Sequence, residues 1–243
     1  MKKAVLFDFD NTLYEYEPDH RIALEKVYQI FNKKIQKISK ENFIRLFNLS
    51  KTEIHQELSG TASSHNRILY FQRLIEKTHN TVYPDLILKL YNAYWNTFLA
   101  NMKLKKGVLD TLRKLKKKDL KIVLVSDLTA HIQLRKIRKL NLTPYIDYLI
   151  TSEEAGSEKP HLIMFLLALK KLNSLSQEVI FVGDSKTKDI SGANAAGIDT
   201  VWITTERKNQ KKDKKDYSLP DYYIKEIPEV LNILEELNKK QKN

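Results

Sequence analysis

Two aspartates near the start of the chain, Asp8 and Asp10, have the clearest potential for chemistry. They follow a short apolar run that begins at Lys3 and is typical of a strand buried on both faces. Carboxylates this close in a confined site repel each other, and a divalent cation would relieve the repulsion. Because clustered histidines and cysteines are absent, oxygen ligands favour Mg²⁺. One carboxylate could then attack phosphorus while the other holds a proton for the leaving oxygen. The alternative is a pair of helix-capping aspartates in a turn.

A second polar group follows the apolar run 178–183. Gly183 would let the backbone turn close to a cation, and Asp184 at the tip of the predicted strand could complete its oxygen shell. Asp189 lies near the start of the next predicted helix. It is therefore either a cation ligand or partner, or an N-cap, and both interpretations stay open.

Ser126 and Lys159 also stand beside predicted elements. Ser126 ends the apolar run 121–126, where its hydroxyl and free backbone N–H groups could bind phosphate oxygens, although serine is also a common N-cap there. Pro160 keeps Lys159 extended, so the ammonium group could project towards the strand ends. It would then offset negative charge on a nucleophile and a phosphoryl group.

The elements that must position these residues alternate between strands and helices. After the first strand, further strands are predicted at 121–126, 148–151, 178–183, 199–203 and 222–224. Buried strands separated by helices favour an α/β fold with a doubly wound parallel sheet. The ligand site of such a sheet lies outside the carboxyl ends of its strands, where the polar groups described above fall.

Residues 17–102 interrupt this alternation after the first strand. Four amphipathic helices are predicted there, and the last begins near Pro84. Its aromatic stripe is typical of a buried core rather than of a ligand site. We therefore predict an inserted all-helical subdomain at 17–102, within a core domain formed by 1–16 and 103–243.

The composition is that of a soluble globular protein, with 42% hydrophobic and 30% charged residues. No apolar run approaches the ~18 residues of a membrane span, and Asp8 and Asp10 come too early for a secretory signal. We therefore expect a cytoplasmic protein without a membrane partner. The absence of cysteine excludes disulfides, thiolate metal sites and a cysteine nucleophile.

The net charge of +12 could indicate a nucleic-acid or anionic-lipid partner. However, the lysines are spread along the chain, as on solvated faces. Their densest cluster, Lys208–Lys215, has no interleaved aromatic residues on which bases could stack. We therefore expect no nucleic-acid partner.

In their order along the chain, the polar groups resemble the four motifs of the haloacid dehalogenase superfamily. The matching segments are Phe7–Leu13, Val125–Asp127, Glu158–Pro160, and Gly183-Asp184 with Asp189. The resemblance extends over the whole chain. The helical insertion is similar to that of the subfamily with an all-helical cap, so the implied fold is a Rossmann-like core that carries such a cap.

The resemblance implies roles for the acidic residues and one lysine. Asp8 would be the nucleophile, and Asp10 the general acid and base whose backbone carbonyl also binds Mg²⁺. Lys159 would balance charge at the reacting group. Asp184 would be the third protein ligand of the metal, and Asp189 the second acidic residue of that motif, usually an outer partner of the metal.

Phosphate binding is implied for Ser126, Asp127 and Lys159. Many relatives have Asn where this chain has Asp127. If Asp127 faces the site, its negative charge would change phosphate affinity or substrate choice. The simpler expectation is that it turns away and caps the following helix.

The activity implied is Mg²⁺-dependent hydrolysis of a phosphomonoester through an aspartyl phosphate on Asp8. A small phosphorylated metabolite, such as a sugar phosphate or a nucleoside monophosphate, is the expected substrate of a monomer or homodimer. A phosphomutase and a non-catalytic binding protein are the alternatives. Asp10 argues against a dehalogenase, because dehalogenases of the superfamily have another residue there.

Overall fold

The computed structural model describes residues 1–205 and 217–240. Within them, one sheet has six strands, each parallel to its neighbours, in the order β3-β2-β1-β4-β5-β6. The strands are β1 (Ala4–Phe7), β2 (Lys121–Ser126), β3 (Tyr148–Thr151), β4 (Val179–Gly183), β5 (Asp199–Ile203) and β6 (Tyr222–Ile224). The direction of strand progression reverses between β1 and β4, so a ligand crevice is expected at their carboxyl ends.

Ten α-helices accompany the sheet in the described residues. The four that precede β2 and belong to the insertion are α1 (Tyr16–Lys34), α2 (Lys40–Glu57), α3 (Arg67–His79) and α4 (Pro84–Asn101). The others are α5 (Val108–Lys117), α6 (Ala130–Lys139), α7 (Ser152–Ala155), α8 (Leu162–Leu172), α9 (Ser191–Ala195) and α10 (Val230–Lys240). The described helices include none that is long and apolar enough to cross a lipid bilayer.

The central strands β1, β2 and β4 are buried on both faces, which explains their apolar runs. Along β1, Val5 and Phe7 join the larger hydrophobic cluster, while Ala4 and Leu6 join the smaller one on the opposite face. The smaller cluster is closed by apolar residues of α8 and α9. Helices α5, α6 and α10 contribute to the larger cluster, which continues into the insertion.

Aromatic residues hold the four inserted helices together. Phe47 of α2 contacts Phe43 on its own helix and Phe71 on α3, with ring centroids 6.5 and 5.8 Å apart. Phe71 in turn meets Tyr94 of α4 at 6.0 Å. All of these rings are fully buried. The aromatic stripe of α4 is therefore part of a core, as its spacing predicted.

The two linkers that join the insertion to the sheet run side by side. Tyr14 and Leu104 form an isolated antiparallel bridge, and the Lys105 amide donates to the Leu13 carbonyl at 2.9 Å. The ring of Tyr14 lies between those of Phe9 and Phe98, with centroid distances of 5.6 and 6.3 Å. The Tyr14 ring thus joins the apolar packing of the sheet to that of the insertion.

The predicted α/β fold with a parallel sheet and a helical insertion is confirmed. Two local expectations need correction. The helix predicted to start near Asp189 is a π-helical turn, Lys186–Ile190, followed by α9, and the short helix α7 directly after β3 was not predicted. The lysine cluster Lys208–Lys215 lies outside the described residues.

Candidate active site

Asp8 lies directly beyond the carboxyl end of β1, at the reversal of strand order. Its amide donates to the Val182 carbonyl of β4 at 2.9 Å, which extends the ladder by one residue. The carboxylate is only 5% exposed. One oxygen accepts from Lys159 Nζ at 2.6 Å, and the other accepts from Thr12 Oγ1 at 2.8 Å. Asp8 is therefore held in one orientation from both sides.

Asp184 and Asp189 bring two more carboxylates to Asp8. One oxygen from each of the three residues lies within 4.8 Å of the others. Burial raises the pKa of Asp8 to about 7, an effect that Lys159 opposes and Asp189 reinforces. Burial and the charge of Asp8 raise the pKa of Asp184 to about 6. Three crowded carboxyl groups in a buried site thus need more positive charge than the protein supplies here.

This arrangement fits a hard divalent cation. Carboxylate oxygens are the donors that Mg²⁺ prefers, and a cation would remove the mutual repulsion that raises the pKa values of Asp8 and Asp184. Asp184 is well placed for this, because its backbone is fixed by the Trp202 indole, which donates to the Asp184 carbonyl at 2.8 Å. The carboxylate of Asp189 has other partners.

Asp189 is bound within the protein on both oxygens. Oδ1 accepts from Lys159 Nζ at 2.7 Å, and Oδ2 accepts from the Ser185 amide at 2.9 Å. Asp189 is 1% exposed. It lies inside the π-helical turn Lys186–Ile190, and the residue that caps the start of this turn is Ser185. The N-cap interpretation is therefore wrong, and Asp189 instead positions Lys159.

Gly183 is required because Asp189 packs directly against it. A Cβ atom at this position would lie 2.5 Å from Asp189 Oδ2 and 2.6 Å from its Cβ. Contacts this short force the backbone or the aspartate to move. The glycine at the end of β4 thus leaves the space that the buried carboxylate occupies.

Lys159 is fully enclosed and binds both Asp8 and Asp189. Burial favours its neutral form, but Asp189 and Asp8 outweigh burial and raise the pKa of Lys159. The Lys159 amide donates to Asp127 Oδ1 at 2.9 Å, and its peptide bond to Pro160 is cis. A permanent positive charge is therefore fixed beside Asp8.

Asp10 has a different environment from Asp8. Its Oδ1 accepts from Lys136 Nζ at 2.6 Å and from the Tyr14 hydroxyl, and Gln133 Nε2 lies 3.5 Å from Oδ2. Burial alone would raise the pKa of Asp10, but the charge and hydrogen bond of Lys136 outweigh it, so the pKa is lowered. Asp8 and Asp10 thus have opposite tendencies to hold a proton.

Gln133 and Lys136 were not predicted from the sequence. They lie one turn apart on the buried face of α6, in phase with Ile132 and Ile137, and neither is exposed. Polar residues at positions that the helical period assigns to the core are the signal that could have found them.

Ser126 and Asp127 lie at the carboxyl end of β2. The Ser126 hydroxyl accepts from Gln133 Nε2 at 2.6 Å and is 1% exposed. Asp127 does not cap the following helix, because Thr129 precedes α6 and no side chain caps it. Instead Asp127 binds the Lys159 amide and, at 3.0 Å, Lys188 Nζ. The expectation that Asp127 turns away from the site is wrong. Its carboxylate stabilises the loop that contains Lys159.

A cavity of about 410 Å³ joins these residues to the inserted helices. All seven predicted site residues line it: Asp8, Asp10, Ser126, Asp127, Lys159, Asp184 and Asp189. The opposite wall consists of side chains from α1, α2 and around the start of α3: Tyr16, Lys51, His55, His65 and Arg67. The sheet side of the cavity is rich in carboxylates, and the helical side is rich in basic groups.

Comparison with known proteins agrees with this architecture. The sequence profile of the haloacid dehalogenase-like hydrolases matches residues 5–203. The ribulose-1,5-bisphosphate 5-phosphatase of Halopiger xanaduensis is 37% identical over 89% of this chain and 90% of its own length. The glyceraldehyde 3-phosphate phosphatase of Methanopyrus kandleri is 31% identical over 98% of this chain and all of its own length.

The solved structures agree as well. A phosphatase of the same superfamily from Thermococcus onnurineus superposes with a TM-score of 0.71 at 26% identity, covering 96% of this chain and 98% of that one. The prediction of an enzyme of the phosphatase type is thereby confirmed at the level of the family. The profile covers strands β1 to β5 and the helical insertion, and the chain belongs to the haloacid dehalogenase-like hydrolases.

Proposed function

We propose that the protein is a Mg²⁺-dependent phosphomonoester hydrolase that forms an aspartyl phosphate on Asp8. The observation that carries the proposal is the position of Asp8 itself. Its carboxylate is buried at the crevice, touches Lys159 at 2.6 Å and lies within 4.8 Å of the carboxylate oxygens of Asp184 and Asp189. A nucleophile, a fixed cation and a set of metal ligands thus meet at one point.

The carboxylates of Asp8 and Asp184 and the backbone carbonyl of Asp10 would hold the metal. Asp189 would act from outside, because both of its oxygens already accept hydrogen bonds. When bound, Mg²⁺ supplies positive charge that stabilises the phosphoryl group in the transition state. The cap domain would be residues 17–102, and the core domain 1–16 and 103–243.

In the first step an Asp8 oxygen attacks phosphorus, and the ester P–O bond breaks. Asp10 gives its proton to the departing alcohol oxygen. The contacts of Asp10 lower its pKa in the free enzyme, so Asp10 takes up this proton only when the negatively charged phosphoryl group binds beside it and raises its pKa. Lys159 offsets the negative charge that gathers on Asp8 and the phosphoryl oxygens, and Ser126 binds one of those oxygens.

In the second step Asp10, now a carboxylate, takes a proton from water. The water oxygen attacks phosphorus, and the bond between phosphorus and Asp8 breaks. Inorganic phosphate leaves, and Asp8 is restored. Lys136 and Tyr14 favour the charged form of Asp10 that this step needs.

The substrate would be a small phosphorylated metabolite, most simply a sugar phosphate. Two relatives support this class: one is named a ribulose-1,5-bisphosphate 5-phosphatase and the other a glyceraldehyde 3-phosphate phosphatase. The cavity of about 410 Å³ is at the small end of the range for ligand pockets, which suits such molecules.

Phosphate release from an aryl phosphomonoester, p-nitrophenyl phosphate, tests the proposal. We expect release with Mg²⁺, none with EDTA, and at least a thousandfold loss in Asp8→Ala, because the nucleophile is removed. Asp19→Ala is a matched control, since Asp19 lies on α1 outside the 410 Å³ cavity. Circular dichroism establishes that both variants fold.

Two results would contradict the proposal. Activity retained in folded Asp8→Ala would assign the nucleophile elsewhere. Transfer of the phosphoryl group to a second sugar hydroxyl, without release of inorganic phosphate, would indicate a phosphomutase.

A further inference from the structure

The helical wall of the cavity carries positive charge without matching negative charge. Lys51 of α2 and Arg67 at the start of α3 both line the cavity that contains Asp8. Among residues 1–205 and 217–240, neither forms an ion pair with a carboxylate. The catalytic steps proposed above use neither of them.

Arg67 is placed at this wall by neutral contacts only. It is 7% exposed, and its guanidinium donates to the His65 carbonyl at 2.6 Å and to the Tyr16 hydroxyl. The rings of Tyr70 and Tyr94 lie 5.2 and 5.8 Å from it. Its Nε group is buried without a hydrogen-bond partner in the described part of the chain. A buried cation that no carboxylate pairs is costly unless an anionic ligand completes it.

Lys51 adds a second positive charge at the same place. Burial and the neighbouring charge of Arg67 lower the pKa of Lys51, while Glu17 opposes this effect. Two cations that disfavour each other gain most from a shared anionic ligand.

The two histidines at this wall lie against other side chains. His65 Nε2 lies 3.1 Å from Glu158 Oε1, and His55 shares a hydrogen bond with the Tyr70 hydroxyl. Glu158 itself also accepts from Ser64. Glu158 is therefore engaged by these partners, and it forms no ion pair with Lys51 or Arg67.

We propose that Lys51 and Arg67 form an anion subsite for a second negatively charged group of the substrate, a phosphate or a carboxylate. The proposal rests on the phosphohydrolase function described above and narrows its substrate class. The scissile phosphate lies at Asp8, and the second anionic group lies against the helical insertion across the cavity. Sugar monophosphates whose other groups are uncharged leave this subsite empty.

Two matched substrate pairs test the subsite. Glycerol 3-phosphate and 3-phosphoglycerate differ by a carboxylate, and a pentose 5-phosphate and a pentose 1,5-bisphosphate differ by a phosphate. We expect wild-type kcat/KM to favour the member with the second anionic group in at least one pair. Preference in the first pair identifies a carboxylate subsite, and preference in the second identifies a phosphate subsite.

Lys51→Gln should reduce that preference by roughly tenfold to a hundredfold, mainly through KM, because a hydrogen-bonded charge contact is lost. Arg67→Lys keeps the charge but loses the planar fork of donors. It should therefore reduce the preference less than the double variant Lys51→Gln/Arg67→Lys does. Lys40→Gln is the matched control on the same helix. Lys40 pairs with Glu25 and lies outside the cavity. The Lys40→Gln enzyme should therefore show the same substrate preference as wild type.

An enzyme that hydrolyses p-nitrophenyl phosphate but prefers neither substrate with a second anionic group would overturn the subsite and leave the phosphohydrolase function intact. An unchanged preference in folded Lys51→Gln would also overturn it. If the wild type hydrolyses no phosphomonoester at all, the proposed function fails, and the subsite fails with it.

Discussion

Asp8 and Asp10 are separated by a single residue, yet their surroundings push their pKa values in opposite directions. Burial raises the pKa of Asp8 to about 7, whereas Lys136 and Tyr14 keep that of Asp10 low. A pair of carboxyl groups with such different proton affinities can divide nucleophilic and proton-transfer roles. The division depends on Lys136, a lysine with no exposed surface.

Replacing this lysine gives a test at the scale of one residue. In Lys136→Met, Asp10 loses its main partner, so its pKa rises, and the acid limb of the pH–kcat profile should move to higher pH. Removing one partner of a buried pair costs about 3–5 kcal/mol, so the melting temperature should fall as well. The pH profile and a thermal melt measure the two effects.

Lys139→Met is the control for Lys136→Met, because Lys139 is exposed on the same helix. It should keep the wild-type profile and stability. A folded Lys136→Met enzyme with the wild-type acid limb would show that Lys136 does not set the protonation of Asp10.

At the scale of the element, the end of β4 and the π-helical turn after it depend on each other. Asp189 folds back so that it binds the Ser185 amide and Lys159, and it occupies the space beside Gly183. Through Asp189, the turn holds Lys159 in place beside Asp8, the proposed nucleophile. Its geometry is possible only because the strand ends in glycine.

Gly183→Ala should therefore impair both folding and catalysis. The added methyl group would overlap with Asp189, and overpacking of this kind costs about 1–3 kcal/mol. Displacement of Asp189 would also loosen Lys159, so kcat should fall while the fold persists. Urea unfolding and steady-state kinetics measure the two effects. Wild-type stability and kcat in the alanine variant would mean that Asp189 adjusts without loss.

Sequence patterns predicted these elements unequally. Apolar runs identified the strands, and the helical period identified the insertion, because both signals are local. The expectation that Asp127 caps α6 was wrong because its partners, Lys159 and Lys188, come from distant loops. Lys51 and Arg67 were missed for the same reason, since only the folding of α2 and α3 over the sheet brings them to the cavity. The roles assigned to the site residues stay predictions.

At the scale of the whole molecule, the cluster of carboxyl groups couples stability to pH and to metal. Without metal, Asp8 and Asp184 have pKa values of about 7 and 6, above the ordinary 3.8. Groups with raised pKa values bind protons more tightly when folded. Their contribution to stability is complete below the ordinary pKa and is lost as pH rises through about 6 to 7.

Mg²⁺ should reverse this loss, because it replaces the protons in the cluster and binds the folded chain preferentially. We expect the rise in melting temperature on adding Mg²⁺, relative to EDTA, to be larger at about pH 8 than at about pH 5. Asp184→Asn should show a smaller rise. Equal gains at both pH values, or an undiminished gain in Asp184→Asn, would place the metal elsewhere.

The pairing of the two linkers at Tyr14 and Leu104 has a consequence for how such proteins diversify. Because the ends of the helical segment lie side by side, the chain leaves the core and returns to it at one place. Segments whose ends are close together are exchanged with little disturbance of their host. The helical segment can therefore change in length or sequence during evolution while the aspartates at the strand ends keep their positions. New substrate ranges can arise through changes in the helical segment while the catalytic chemistry stays the same.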